Sequence, residues 1–205
     1  MSTTAFPREI TALPPSAPGM RIGLFGGSFN PTHHGHRRVS HQCLKRLELD
    51  AVWWLVTPGN PLKDHADLAP LETRVKAANA LLKNPRERAT GFEAAHGFTY
   101  THQTLSHLRR TLPDRRFVWI MGADSLVGFH RWERWEEIFA LMPVAVYVRP
   151  GSTRKAIASR AAIVFEHARI EESDAPLLAG LRPPAWVLLR GLMSSLSSTE
   201  LRSAR

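Results

Sequence analysis

Cysteine is almost missing from this chain: Cys43 is the only one in 205 residues. One thiol permits no internal disulfide and no cysteine-rich zinc site, and it suits a reducing compartment. No stretch approaches the roughly 18 apolar residues that a membrane-spanning helix needs. The opening MSTTAFPREITALPPSAPG has no basic start and no continuous apolar core, so it does not read as a secretory signal. These absences point to a cytoplasmic protein. Acidic residues are also scarce, with 18 Asp and Glu against 27 Lys and Arg, a net charge of +9. That surplus attracts nucleic acid, acidic membranes or phosphorylated small molecules. The basic residues are scattered along the chain rather than gathered on one face with aromatics, which weakens the nucleic-acid reading. Two common phosphate loops are missing as well: the G-x-x-x-x-G-K-[ST] loop and the G-x-G-x-x-G of dinucleotide folds.

What is present is a regular alternation of apolar runs and helical patterns, in a chain that is 43% hydrophobic. Residues 1–19 hold Pro7, Pro14, Pro15 and Pro18 and show no apolar periodicity, so they are expected to form a disordered leader that packs against nothing. Residues 20–205 read as a single domain. MRIGLF, AVWWLVTP, RFVWIMGAD, PVAVYVRPG and AWVLLRG read as strands, and ATGFEAA as a short one. GHRRVSHQCLKRLEL carries Val39, Cys43, Leu44 and Leu47 on one helical face. LETRVKAANALLKN, TYTHQTLSHLRRTL, TRKAIASRAAIVF and SSTELRSAR also read as helices. RWERWEEIFALM reads as a helix with Trp132, Trp135, Ile138 and Phe139 facing one way. Strands alternating with helices predict an α/β fold, a Rossmann-like, mainly parallel sheet with helices on both faces. Ligands then bind beyond the carboxyl ends of the strands.

The segments after the strands are therefore the candidate site. Gly26 and Gly27 let a ligand approach the backbone closely. His33 and His36 flank Gly35 where a helix begins, and free N–H groups at a helix start favour phosphate. Imidazoles there can donate to phosphate oxygens and stabilise charge in a transition state. The alternative is three surface histidines in a loop. A metal site is not expected, because His33, His34 and His36 are too close for tetrahedral ligation and no carboxylate or thiol completes the set. Ser197, Ser198 and Thr199, with Arg202 one turn on, fit either a phosphate cradle or a capping box between Ser197 and Glu200. Asp124, after Gly122, suits ribose hydroxyls or helix capping. Trp132 and Trp135 suit the core, or one of them a planar ligand.

GGSFNPTHHGH resembles G-[ST]-F-[DN]-P-x-H-x-G-H, the signature of the nucleotidyltransferases that carry a histidine pair. SSTELR resembles their second signature, S-[ST]-T-x-[IL]-R. TYTHQTL and FVWIMGADSLVGFHRWERW are similar to the nicotinate-nucleotide adenylyltransferase branch, and VTPGNPLK and VRPG fall in the expected places. The resemblance runs from Met20 to Arg202. Asn30 stands where many members have Asp, and Gly59–Lys63 replaces a commoner Pro-Pro-His-Lys.

The resemblance implies adenylyl transfer from ATP to nicotinate mononucleotide, a step of NAD biosynthesis. It implies that His33 and His36 are catalytic. Gly26, Gly27, Ser28, Phe29, Gly122, Asp124, Ser197, Ser198, Thr199 and Arg202 would bind ATP. Lys63, Tyr100, Thr101, Trp132 and Arg149 would bind the mononucleotide. Mg²⁺ would ride mainly on the substrate phosphates. No nucleic acid and no membrane is expected as a partner, and a homo-oligomer is left open. The competing readings are a sister enzyme acting on nicotinamide mononucleotide or pantetheine phosphate, and a basic nucleic-acid-binding domain.

Overall fold

The computed structural model describes residues 6–59, 67–148 and 152–191. In chain order the elements are α1 (Arg8–Thr11), β1 (Arg21–Gly27), α2 (His34–Arg46), β2 (Ala51–Val56), α3 (Leu71–Leu81), β3 (Glu87–Thr90), α4 (Phe92–Ala95) and α5 (Thr101–Thr111). Then follow β4 (Arg116–Gly122), α6 (Ala123–Val127), α7 (Trp135–Leu141), β5 (Val144–Val148), α8 (Thr153–Ile157), α9 (Arg160–Val164), β6 (Arg169–Ile170) and β7 (Trp186–Arg190). The strands form one sheet in the order β3-β2-β1-β4-β5-β7-β6, and every pairing is parallel. A parallel sheet covered on both faces needs strands that are apolar throughout, and β2 and β5 are buried along their whole length.

Side chains alternate between two cores. Leu24, Trp53, Trp119 and Val146 pack against Leu105, Ile138 and Phe139 from α5 and α7. On the other face Phe25, Trp54, Ile120 and Ala145 pack against Cys43, Leu44 and Val75 from α2 and α3. Strand order reverses between β1 and β4. Phe25 pairs with Ile120, so Gly27 and Gly122 end neighbouring strands at the switch point where such sheets bind ligands.

Four expectations are corrected. Within ATGFEAA only Ala89 and Thr90 belong to β3, which starts at Glu87, and Phe92–Ala95 is a helical turn. RWERWEEIFALM is not one helix: Arg134 has a left-handed φ of 52°, α7 begins after it, and Trp132 lies on extended backbone. TRKAIASRAAIVF is two short helices separated at Ser159, whose hydroxyl accepts from the Ala162 N–H at the start of the second. The leader packs. Ile10 is 4% exposed, its carbonyl accepts from the Gly91 N–H at 2.7 Å, and the Gly19 N–H donates to Asp114 O at 2.7 Å. One buried isoleucine, a partly buried Leu13 against the core and backbone hydrogen bonds leave no periodicity to read in the sequence. The expected last helix, SSTELRSAR, lies outside the described residues.

Candidate active site

Gly26 must be glycine for packing, because a Cβ there would collide with the Trp119 ring. The chain leaves β1 through Phe29, in the left-handed region at φ 47°. Phe29 is held there by burial: its ring stacks on Trp54 at 4.7 Å and meets the edge of His36 at 5.0 Å. Its side chain is core, which leaves its backbone for a ligand. Asn30 fastens the turn to the next loop, donating to Asp67 O at 2.8 Å and accepting from the Ala69 N–H at 3.3 Å.

His33 caps α2 and His36 lies in its first turn. The His33 N–H donates to His36 Nδ1 at 3.3 Å, and the rings stack with centroids 3.7 Å apart. With Nδ1 accepting, the neutral His36 ring carries its proton on Nε2. Two imidazoles thus gather at the amino end of a 13-residue helix, where backbone N–H groups and the helix dipole favour an anion.

Behind the turn lies Arg74, 3% exposed, a residue that the sequence patterns did not single out. Its guanidinium donates to the carbonyls of Ser28 (2.8 Å), Thr57 (2.7 Å), Pro58 (3.2 Å) and Ala69 (2.7 Å). It ties the exits of β1 and β2 to the start of α3. Burial lowers its pKa from the ordinary value.

A cavity of about 420 Å³ opens beside this turn. Gly26, Gly27 and Ser28 line one side, with Thr57 and Gly59 from the exit of β2. Tyr100 and Thr101, at the start of α5, line another. Gln103 fixes that helix start by accepting from the N–H groups of Thr99 and Tyr100, both at 3.0 Å, as in a capping box. Trp119 and Trp132 form the aromatic wall, their rings perpendicular within 16° and their centroids 6.4 Å apart.

Glu93 also lines the cavity, and the sequence reading missed it. It is 7% exposed, accepts from Thr104 Oγ1 at 2.8 Å and is hydrogen-bonded by Thr57. Burial pushes its pKa up to about 7 against the opposing pull of those two hydroxyls. The one available signal was an acid inside the otherwise apolar GFEAA.

Of the residues expected to bind ligand, the structure therefore gathers Gly26, Gly27, Ser28, Tyr100, Thr101 and Trp132 around one cavity. His33 and His36 lie on the adjoining turn and do not line it. Gly122 and Asp124 stand at the end of β4, where Ser125 reaches the cavity instead. Lys63, Arg149, Ser197, Ser198, Thr199 and Arg202 lie outside the described residues. Among the described residues no group of three or more His, Cys, Asp or Glu could hold a metal ion, and no helix is long and apolar enough to cross a membrane.

A parallel sheet with a glycine exit and a histidine pair at its switch point defines a class of nucleotide-handling protein, and the chain belongs to the cytidylyltransferase-like family, whose model matches residues 24–204. Within that family, it is 60% identical over 184 residues to "Probable nicotinate-nucleotide adenylyltransferase" of Methylorubrum extorquens (strain PA1), covering 90% of this chain and 100% of the relative. It is 51% identical over 190 residues to the protein of the same name from Mesorhizobium japonicum, covering 93% of this chain and 97% of that one. Among solved structures, its fold is similar to that of Plasmodium falciparum nicotinic acid mononucleotide adenylyltransferase complexed with NaAD. The TM-score is 0.67 at 18% identity, covering 90% of this chain and 83% of that one.

Proposed function

We propose that this chain transfers the adenylyl group of ATP to nicotinate mononucleotide, releasing pyrophosphate and forming nicotinate adenine dinucleotide. The observation that carries this reading is one cavity that joins the glycine exit of β1 to Tyr100, Thr101 and Trp132, in a chain 60% identical to a relative named for that reaction.

A phosphate oxygen of the mononucleotide attacks the α-phosphorus of ATP. The bond from that phosphorus to the oxygen bridging the β-phosphate breaks, and pyrophosphate leaves with the electron pair. The nucleophile is already anionic, so no protein base is required. The protein positions the two phosphates and neutralises their charge. His33 and His36 serve the α-phosphate, with the Gly26–Phe29 backbone and Ser28 at the junction of the two substrates. Asp124 takes adenosine ribose hydroxyls, with Gly122 leaving room beside it. Ser197, Ser198, Thr199 and Arg202 take the β- and γ-phosphates, and Lys63 a phosphate. Trp132 stacks on the pyridine ring, Tyr100 and Thr101 meet its carboxylate, and Arg149 adds a positive field. Mg²⁺ keeps most of its waters and needs few protein ligands, so the ATP phosphates would hold it, and it would supply positive charge against that of the leaving pyrophosphate.

The test is pyrophosphate release from ATP with nicotinate mononucleotide, nicotinamide mononucleotide and phosphopantetheine as acceptors. The first should be the best substrate; faster release with phosphopantetheine would overturn the proposal.

A further inference from the structure

The cavity that is proposed to receive an anionic ring carries a buried acid in its own wall. Glu93 belongs to α4, a single turn wedged between β2 and α5. Among the described residues its side-chain hydrogen bonds are to hydroxyls, those of Thr104 and Thr57. A hydroxyl accepts as readily as it donates, so this network closes around a neutral carboxyl as well as around a carboxylate. Thr104 is three residues beyond Thr101, hence on the same face of α5. The acid thus lies under the helix start that is proposed to meet the substrate carboxylate.

We propose that Glu93 is a specificity-determining residue that holds a proton while the substrate is bound: the cavity takes a ring carboxylate well only when the Glu93 carboxyl is neutral. This rests on the reading of the cavity as the nicotinate mononucleotide site.

Among the described residues the surrounding charges do not supply another way to neutralise it. Arg74, across Thr57, directs its donors at four carbonyls. On α1, Arg8 and Glu9 are exposed, and Arg131 and Glu133 on the Trp132 side of the cavity bring one charge of each sign. His96 follows α4, its ring 4.1 Å from that of Phe92 and 4.9 Å from that of His107. His107 is held below its ordinary pKa, chiefly by burial and then by His96 and Arg110. His102 is buried on α5. With a pKa of about 7, Glu93 is neutral below that pH and charged above it. A bound carboxylate penalises the charged form, so binding raises that pKa and takes up a proton.

The experiment measures KM for nicotinate mononucleotide and nicotinamide mononucleotide from pH 6 to 8.5, in the wild type and in Glu93→Gln. In the wild type, KM for the acid should climb by up to about tenfold per pH unit above about 7, while KM for the amide changes little. In Glu93→Gln, neutral at every pH, that climb should vanish. Coincident profiles in the two proteins would overturn the inference. Should the variant fail to fold, calorimetric titration of the wild type at pH 8, in two buffers of different ionisation enthalpy, decides the matter. The substrate phosphate has a second pKa of about 6 and is fully ionised there, so proton uptake approaching one per site supports Glu93 and zero uptake overturns it. A wild type that adenylates neither mononucleotide defeats the functional reading and this inference with it. Adenylation with flat pH profiles defeats the inference alone.

Discussion

On the β1 side of the cavity, buried side chains hold backbone in place. Arg74 ties four carbonyls together, Phe29 is wedged on Trp54, and Gly26 is packed against the Trp119 ring. On the α5 side, Tyr100 is 39% exposed and Trp132 is half-buried at the end of a short 3-10 turn. Groups that stabilise charge in a transition state must be fixed before the reaction, because reorganising them would consume the advantage. Groups that choose a substrate must let it in. The rigid wall and the open wall follow that division, and five changes should separate them.

The largest effect is expected from Arg74→Met. It keeps much of the aliphatic volume and removes every donor from four carbonyls. At about 1 kcal/mol for each lost bond, the loss is about 4 kcal/mol, and Tm should fall by about 10 °C. A melting curve within 2 or 3 °C of wild type would show that the β1 wall does not depend on this residue.

His36→Ala comes next. Removing one transition-state donor costs on the order of 100-fold in turnover, about 2.7 kcal/mol. Steady-state kinetics should show kcat falling far more than KM for ATP rises. A variant that keeps normal kcat and binds ATP weakly would move His36 from the chemistry to ground-state binding.

The leader is anchored beside α4, because the carbonyl of Ile10 receives the N–H of Gly91, the residue before that helical turn. Deleting residues 1–19 removes one buried isoleucine and several backbone hydrogen bonds, about 2 kcal/mol in all. Tm should drop by about 5 °C in scanning calorimetry, whereas a detached leader would leave it unchanged.

How much of this could be read beforehand depended on whether a residue's role matched its local pattern. The strands VWWLV and FVWIM are uninterrupted apolar runs, and the glycines and histidines after β1 form a recognisable signature. Glu87–Thr90 hid because a strand that begins Glu-Arg looks exposed, although Glu87 is buried and accepts from the Ser40 hydroxyl. Trp132 was placed on a helix because WERWEEIF has helical spacing, and spacing cannot show the left-handed turn at Arg134 that delays α7. Arg74 and Glu93 were invisible for a shared reason. A charged letter inside a helical or strand pattern normally marks a solvated face, and only the fold shows that four carbonyls surround the first and two hydroxyls the second.

The smallest expected effect, on the open wall, bears most directly on substrate choice. Nicotinate and nicotinamide have nearly the same shape, so size cannot separate them. A cavity end dominated by donors can: the N–H groups in the first turn of α5 that have no intrahelical partner, joined by the Thr101 hydroxyl, which donates to a carboxylate. A carboxylate accepts from all of them. An amide that turns its NH₂ toward one of the N–H groups leaves a buried pair of donors unmatched, at roughly 1–3 kcal/mol. Charge-assisted bonds widen the gap, so kcat/KM should favour the acid by at least about tenfold, one decade for each 1.4 kcal/mol. Thr101→Ala removes one donor and should narrow that ratio by about fivefold, close to 1 kcal/mol, chiefly by harming the acid. Trp132→Ala should weaken both mononucleotides alike, because stacking area does not depend on whether the substituent is an acid or an amide. The measurement is kcat/KM for both mononucleotides in the wild type and the two variants at pH 6.5, where Glu93 is mostly protonated. If Thr101→Ala and Trp132→Ala shift the ratio equally, selection is made by the cavity as a whole and not by the donors at the start of α5.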